Sequence, residues 1–308
     1  MRPLAFLGPQ RFKPTLARAV EALGIEGDLA TVTAGWQERE LEVEELHEHL
    51  GGRAVNLELH RRAERVFEAD PEFAAAHHTR QELFREMQDI YVLRLDAALH
   101  ACTLLDRRPG HALLLDEERE AALEAVRTLD AAHAARLAEV HAEFEARYRP
   151  LERAAVVREG VQIESLLARV DGLAIAGGHV AVLLNRLRLF GVLELSGDKP
   201  VLAWSGGAMV CAKALVLFHD DPPFGSGNPQ VLDQGLGLED AFVFLPHARR
   251  RLDLADAERL ARFAKRFRGR TLAVLEDGAM LLRNPEWSAD EGCLAIDEAG
   301  AVVPMSPQ

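Results

Sequence analysis

Apolar and polar positions along the chain follow two different rhythms. Dense apolar runs end at glycine in LAFLG (4–8) and DLATVTAG (28–35), and between them TLARAVEALG repeats its apolar positions at spacings of three and four. Short runs bounded by glycine predict strands and the intervening period predicts a helix, so the chain opens β-α-β. From Gln37 to about Tyr148 the pattern changes. Ala, Leu, Glu, Arg and His dominate, β-branched runs almost vanish, and LFREMQDIYVLRLDAALHACTLL has the helical period. Breaks at Gly51-Gly52, Asp70-Pro71 and Arg108-Pro109-Gly110 divide this region into about four helices.

After Pro150 strand and helix patterns alternate again. RAAVVREG reads as a strand, VQIESLLARVD as a helix, DGLAIAGG as a buried strand, HVAVLLNRLRLFGV as a helix and KPVLAWS as a strand. GGAMVCAKALVLF then reads as a helix, AFVFLPH as a strand, LADAERLARFAKRFRG as a helix, TLAVLED and AMLLRN as strands, and CLAIDEAGAVVPM as a hairpin. Strands separated by helices imply an α/β fold, a mostly parallel sheet with helices on both faces. Its core is expected from residues 1–36 and 150–308, with 37–149 a large all-helical insertion. Reactive groups in such folds collect at the carboxyl ends of strands.

Three strand ends carry candidate chemistry. Ser205 closes the strand VLAW and is followed by Gly206 and Gly207, which relieve crowding where a strand turns directly into a helix. A serine in that place presents its hydroxyl as a nucleophile or serves as an ordinary N-cap. The Gly206 N–H sits where a helix start stabilises an oxyanion. In AIAGGHV, Gly177 and Gly178 end another strand, and Gly178 offers a second N–H; the alternative is a tight turn. In FVFLPHARRRL, His247 ends a third strand, placed to take a proton from the serine or to sit solvated. An orienting carboxylate is also required. Asp220, Asp221, Asp233, Glu239 and Asp240 are candidates that spacing alone does not separate.

Composition narrows the classes. With 308 residues and 48% apolar content the chain can bury a large core. A net charge of −13 argues against nucleic-acid or anionic-membrane partners, which call for a basic face. Three scattered cysteines, Cys102, Cys211 and Cys293, point to reduced thiols and a cytoplasmic setting. The apolar run near the N-terminus is far too short to span a bilayer. Nine of the twelve histidines fall between His47 and His141, which invites a metal hypothesis. Glu44 with His47, and Asp130 with His133, have the spacing of carboxylate-bridged bundles. The further glutamates such bundles need cannot be placed, so neither metal nor other cofactor is expected.

The succession AIAGGHVAVLL, VLAWSGGAMV, HDDPP, FLPHARRRL and TLAVLEDGAMLL resembles the dipeptidase E and cyanophycinase family of serine peptidases, a branch of the class I glutamine amidotransferase-like fold. The resemblance covers roughly residues 156–285. It implies Ser205 as nucleophile, His247 as base, Asp220 as acid, and Gly178 and Gly206 as oxyanion donors. It further implies a small peptide or isopeptide substrate with an aspartyl residue, contacted by His179 and Arg249, and a homo-oligomer. The chain departs from the family with Gly206 where alanine is usual and His179 where asparagine is common. A glutamine amidotransferase would need cysteine at position 205. The competing class is a catalytically silent binding or scaffold protein of the same fold, with the helical insertion mediating assembly.

Overall fold

The computed structural model describes residues 2–219 and 227–306. In chain order, β1 (Leu4–Leu7), α1 (Leu16–Ala22) and β2 (Leu29–Val32) form the β-α-β opening. They are followed by α2 (Glu44–His49), β3 (Ala54–Asn56), α3 (Leu59–Ala69), α4 (Pro71–Arg107) and α5 (Ala112–Tyr148). Next come α6 (Ala154–Leu167), β4 (Gly172–Ile175), α7 (Val180–Leu189), α8 (Val192–Leu195), β5 (Val201–Trp204) and α9 (Gly206–Cys211). β6 (Ala214–Leu217), β7 (Gln230–Gln234), β8 (Phe242–Pro246), α10 (Ala248–Arg251) and α11 (Ala257–Arg266) lead to the last strands. Those are β9 (Thr271–Leu275), β10 (Met280–Arg283), β11 (Trp287–Ala289), β12 (Cys293–Ile296) and β13 (Val302–Pro304).

The main sheet has seven strands in the order β11-β10-β1-β5-β4-β2-β3. From β1 to β3 the pairing is parallel, and β10 and β11 add an antiparallel edge. Every residue of β1, β2, β4 and β5 is buried, which is why these strands read as unbroken apolar runs rather than alternations. A second, four-stranded sheet runs β13-β12-β9-β8, with β8 and β9 parallel. β6 and β7 pair as an antiparallel ribbon. The architecture is mixed α/β with a mostly parallel central sheet, flanking helices and a long helical hairpin.

Three segments differ from the pattern-based expectation. RAAVVREG lies in α6, not in a strand, because its buried positions Ala155, Val156 and Glu159 continue to Ile163 and Leu167 as one helical face. The helix expected over GGAMVCAKALVLF stops at Cys211; Ala212 is extended and ALVL pairs with β7, a tertiary contact that local periodicity does not report. The region 37–149 is not purely helical either, since β3 joins the main sheet beside β2 with Leu29 opposite Ala54.

The long hairpin is α4 and α5, each 37 residues. Asp70 caps α4 by accepting from the Phe73 N–H at 3.1 Å, and Arg153 holds the same carboxylate at 2.8 Å. Pro71 occupies the first turn, where its missing N–H costs nothing. One buried polar network ties the hairpin to the core. The Tyr91 hydroxyl donates to Asp130 at 2.8 Å and accepts from Arg266 at 2.9 Å and from the Val231 N–H at 3.1 Å. Arg266 also grips Asp130, and the His133 ring stacks on Tyr91 at 4.0 Å. Asp130 and His133, whose spacing suggested a metal pair, are therefore engaged in fastening α4, α5, α11 and β7 together. Among the described residues no group of three or more His, Cys, Asp or Glu side chains is arranged to hold a metal, and no helix is long and apolar enough to cross a membrane.

Candidate active site

β5 sits between β1 and β4 in the middle of the main sheet, and Ser205 follows its last residue. The turn into α9 forces Ser205 to φ 53°, ψ −126°, a conformation an L residue adopts only where its surroundings impose it. Its hydroxyl makes no capping bond to α9. Instead Ser205 Oγ lies 3.0 Å from His247 Nε2. The ordinary N-cap alternative for this serine therefore lacks its defining hydrogen bond.

His247 arrives from the other sheet. It follows β8, has φ 58° and ψ 31°, and its N–H donates to Leu275 O at 3.4 Å. Burial pushes its pKa below the ordinary histidine range, helped by the positive charges of Arg251 and Arg250 and opposed by Asp277. An imidazole held neutral near pH 7 is a competent proton acceptor.

The parallel pairing of β8 with β9 brings the β9–β10 turn against His247, since Leu275 lies opposite Pro246. Glu276 Oε1 accepts from the Arg249 N–H at 2.8 Å and braces the start of α10. Asp277, the next residue, has one carboxylate oxygen buried without a hydrogen-bond partner, and its charge reaches the His247 ring. Gly8 makes this approach possible: a Cβ there would lie 1.8 Å from Glu276 O.

The glycine turn after β4 closes the third side. A Cβ on Gly177 would fall 2.9 Å from Ser205 Cβ and from the Gly206 nitrogen, so the backbone must be bare for the serine to stand there. Gly178 has φ 115°, and a Cβ on it would meet Gly35 O at 2.3 Å. Among the described residues neither the Gly178 nor the Gly206 N–H donates a hydrogen bond, and both belong to the turns flanking Ser205 Oγ. Two free amides beside a serine–histidine pair can hold an oxyanion.

These groups open into a cleft of about 300 Å³. Trp36, Trp204 and Leu46 supply apolar wall; Arg11, Glu42, Glu45 and His49 supply charge and polarity. His179 instead caps α7 by accepting from the Val182 N–H at 3.3 Å and lines a different cavity. Arg249 is exposed and is not among the residues lining the cleft. Asp220 and Asp221 lie outside the described residues. Their rivals are engaged elsewhere: Asp233 with Arg188 and His141, Glu239 with Arg283, and Asp240 with Lys213 and Arg270. Sequence reasoning passed over Asp277, although it ends a strand pattern just as Ser205 and His247 do. It also passed over Arg11, Glu42 and Glu45, which carry no motif.

No family model matches the sequence, and no curated protein matches it. Among solved structures, a peptidase from an acI-B1 Actinobacterium aligns over 99% of this chain and 97% of its own, with a TM-score of 0.49 and 11% identity. A putative peptidase E protein from Listeria monocytogenes EGD-e aligns over 42% of this chain and 64% of its own, with a TM-score of 0.30 and 19% identity. At these scores and identities the functional reading rests on the cleft itself.

Proposed function

We propose that the protein is a serine hydrolase cleaving a small peptide or isopeptide bond through an acyl-enzyme. The observation that carries this is the 3.0 Å contact between Ser205 Oγ and His247 Nε2 at the floor of an open cleft. In the first step Oγ bonds to the carbonyl carbon while Nε2 takes its proton, and the carbonyl electrons move to an oxyanion held by the Gly178 and Gly206 N–H groups. Collapse of that intermediate breaks the C–N bond, and His247 returns the proton to the departing amine. Water then repeats the sequence against the ester and restores the serine.

We assign the orienting carboxylate to Asp277, ahead of Asp220. The Asp277 charge favours the protonated form of His247, and its buried, unpartnered oxygen is the acceptor we assign to the Nδ1–H that the ring carries while Nε2 faces Ser205. Apo geometry is commonly looser than that of the working complex. The cationic contact for a substrate carboxylate belongs to Arg11, which lines the cleft, in place of Arg249; Glu45 faces the opposite charge of a free α-amino group, Glu42 being paired with Arg39. A cleft of about 300 Å³ suits a small peptide.

The test is incubation with a defined mixture of dipeptides and β-aspartyl isopeptides, followed by mass spectrometry. Depletion of a subset by the wild type and none by Ser205→Ala supports the reading. No depletion by either protein favours the silent binding or scaffold alternative.

A further inference from the structure

A second cavity, of about 650 Å³, lies between the α4–α5 hairpin and the core, against α7 and the β6–β7 ribbon. It shares no lining residue with the cleft at Ser205, although Gln37 and His179 border it and their neighbours Trp36 and Gly178 border the cleft. Its walls combine phenyl rings with a surplus of arginine: Arg80, Arg85, Arg186 and Arg188 stand against Asp89, Glu145 and Asp233.

Arg186, Arg188 and Asp233 are already satisfied at close range. Arg188 binds Asp233 at 2.9 Å, and Asp233 also holds His141 at 3.0 Å. Arg186 reaches Glu64 at 3.4 Å and Asn185 Oδ1 at 2.7 Å. Arg80 is different. Its Nε is buried without a partner, as is that of Arg186, but among the described residues no oxygen accepts a hydrogen bond from any Arg80 nitrogen. Its guanidinium lies over the Phe144 ring at 3.8 Å, with Phe84 at 5.8 Å. Burial pushes its pKa down to about 10, with the more distant charges of Glu145 and Asp233 opposing that fall. Arg80 is part-buried, so only its Nε is cut off from water, while its terminal nitrogens stay accessible and unbonded to protein. That leaves them available to an anion, because a ring face replaces only part of a guanidinium's lost hydration.

We propose that this cavity binds a small organic anion with an apolar body, its carboxylate accepting from the Arg80 fork and its ring or chain lying against Phe84 and Phe144. Arginine suits the part because its planar donors match a carboxylate in a bidentate pair. The inference stands apart from the serine chemistry, since it uses none of the residues at the cleft.

Isothermal titration of the full-length protein with 1-naphthoate, and with the neutral 1-naphthamide, tests it. The wild type should bind naphthoate at least about tenfold more tightly than naphthamide, and Arg80→Gln should weaken naphthoate by at least about tenfold while leaving naphthamide unchanged. Ser205→Ala should bind naphthoate as the wild type does. Absence of naphthoate binding at about 1 mM, equal affinity for the two probes, an unaffected Arg80→Gln protein, or loss of binding in Ser205→Ala each overturns the proposal. If Arg80→Gln fails to give the wild-type circular dichroism spectrum, Leu232→Trp fills the cavity from the β7 side. Loss of naphthoate binding in that protein supports the site, and retention overturns it.

Discussion

Ser205 and His247 follow strands of different sheets and both carry left-handed φ values, 53° and 58°, while their side chains meet at 3.0 Å. Two non-glycine residues held in that region at one contact represent strain that the rest of the fold must sustain. The glycine packing around 177, 178 and 206 and the buried strands β5 and β8 sustain it.

Because the pair acts as a unit, its removal is not additive. Ser205→Ala and His247→Ala should each lower turnover by roughly 10³ to 10⁶ fold, and the double variant should fall little further. Turnover numbers on the best peptide from the mixture, measured for all four proteins, check this.

Asp277→Asn keeps the shape of the β9–β10 turn and removes its charge. Turnover should fall by about 10² to 10⁴ fold. Asp277 supports the protonated ring, so its loss lowers the His247 pKa further, and the acid limb of the kcat/KM profile should move to lower pH. A profile that stays in place contradicts the assignment and returns the role to Asp220.

Part of the candidate site is legible in the sequence, for a physical reason. Strands buried on both faces are continuous apolar runs, so the residue that ends each run is conspicuous, and Ser205, His247 and the Gly177-Gly178 pair all stand at such ends. Asp277 ends TLAVLED in the same manner, but its approach to His247 depends on β8 and β9 pairing in parallel, which spacing along the chain does not reveal. The cleft walls were hidden for a different reason. Glu42, Glu45, Leu46 and His49 lie at the start of a region whose composition reads as helix throughout, and β3, which returns that region to the sheet, is only three residues long. α6 and β6 depart from their local patterns because a buried helical face and a pairing strand, not local preference, decide them.

Gly178→Ala should disturb the site and the fold together. Its Cβ would press on Gly35 O at 2.3 Å with φ at 115°, whereas the same change at Gly51, φ 63°, meets nothing within 4 Å. Strain of this kind costs about 1–3 kcal/mol, and the clash at Gly178 adds to it. Urea denaturation should rank wild type above Gly51→Ala and Gly51→Ala above Gly178→Ala, with activity lost in the last alone.

His77 provides a pH signature of the fold independent of catalysis. Burial among Phe67, Phe73 and Phe144 pushes its pKa down to about 3, with Arg80 and Arg186 adding to the shift. Asn185 Nδ2 donates to its Nε2 at 2.8 Å, as a neutral ring requires. The unfolded chain binds this proton near pH 6.5 and the folded chain does not, so stability present above that pH is lost as pH falls from about 6.5 toward 3. The slope for one such proton is about 1.4 kcal/mol per pH unit at its steepest. Urea midpoints at pH 7 and pH 5 should differ less in His77→Gln than in the wild type.

The most direct measurement is covalent trapping of the nucleophile with a fluorophosphonate, read by peptide mass spectrometry. The account predicts a single phosphonylated serine, Ser205, formed rapidly in the wild type, absent in Ser205→Ala and strongly slowed in His247→Ala. An unmodified Ser205 under conditions that label a standard serine hydrolase, or equal labelling rates with and without His247, would contradict it.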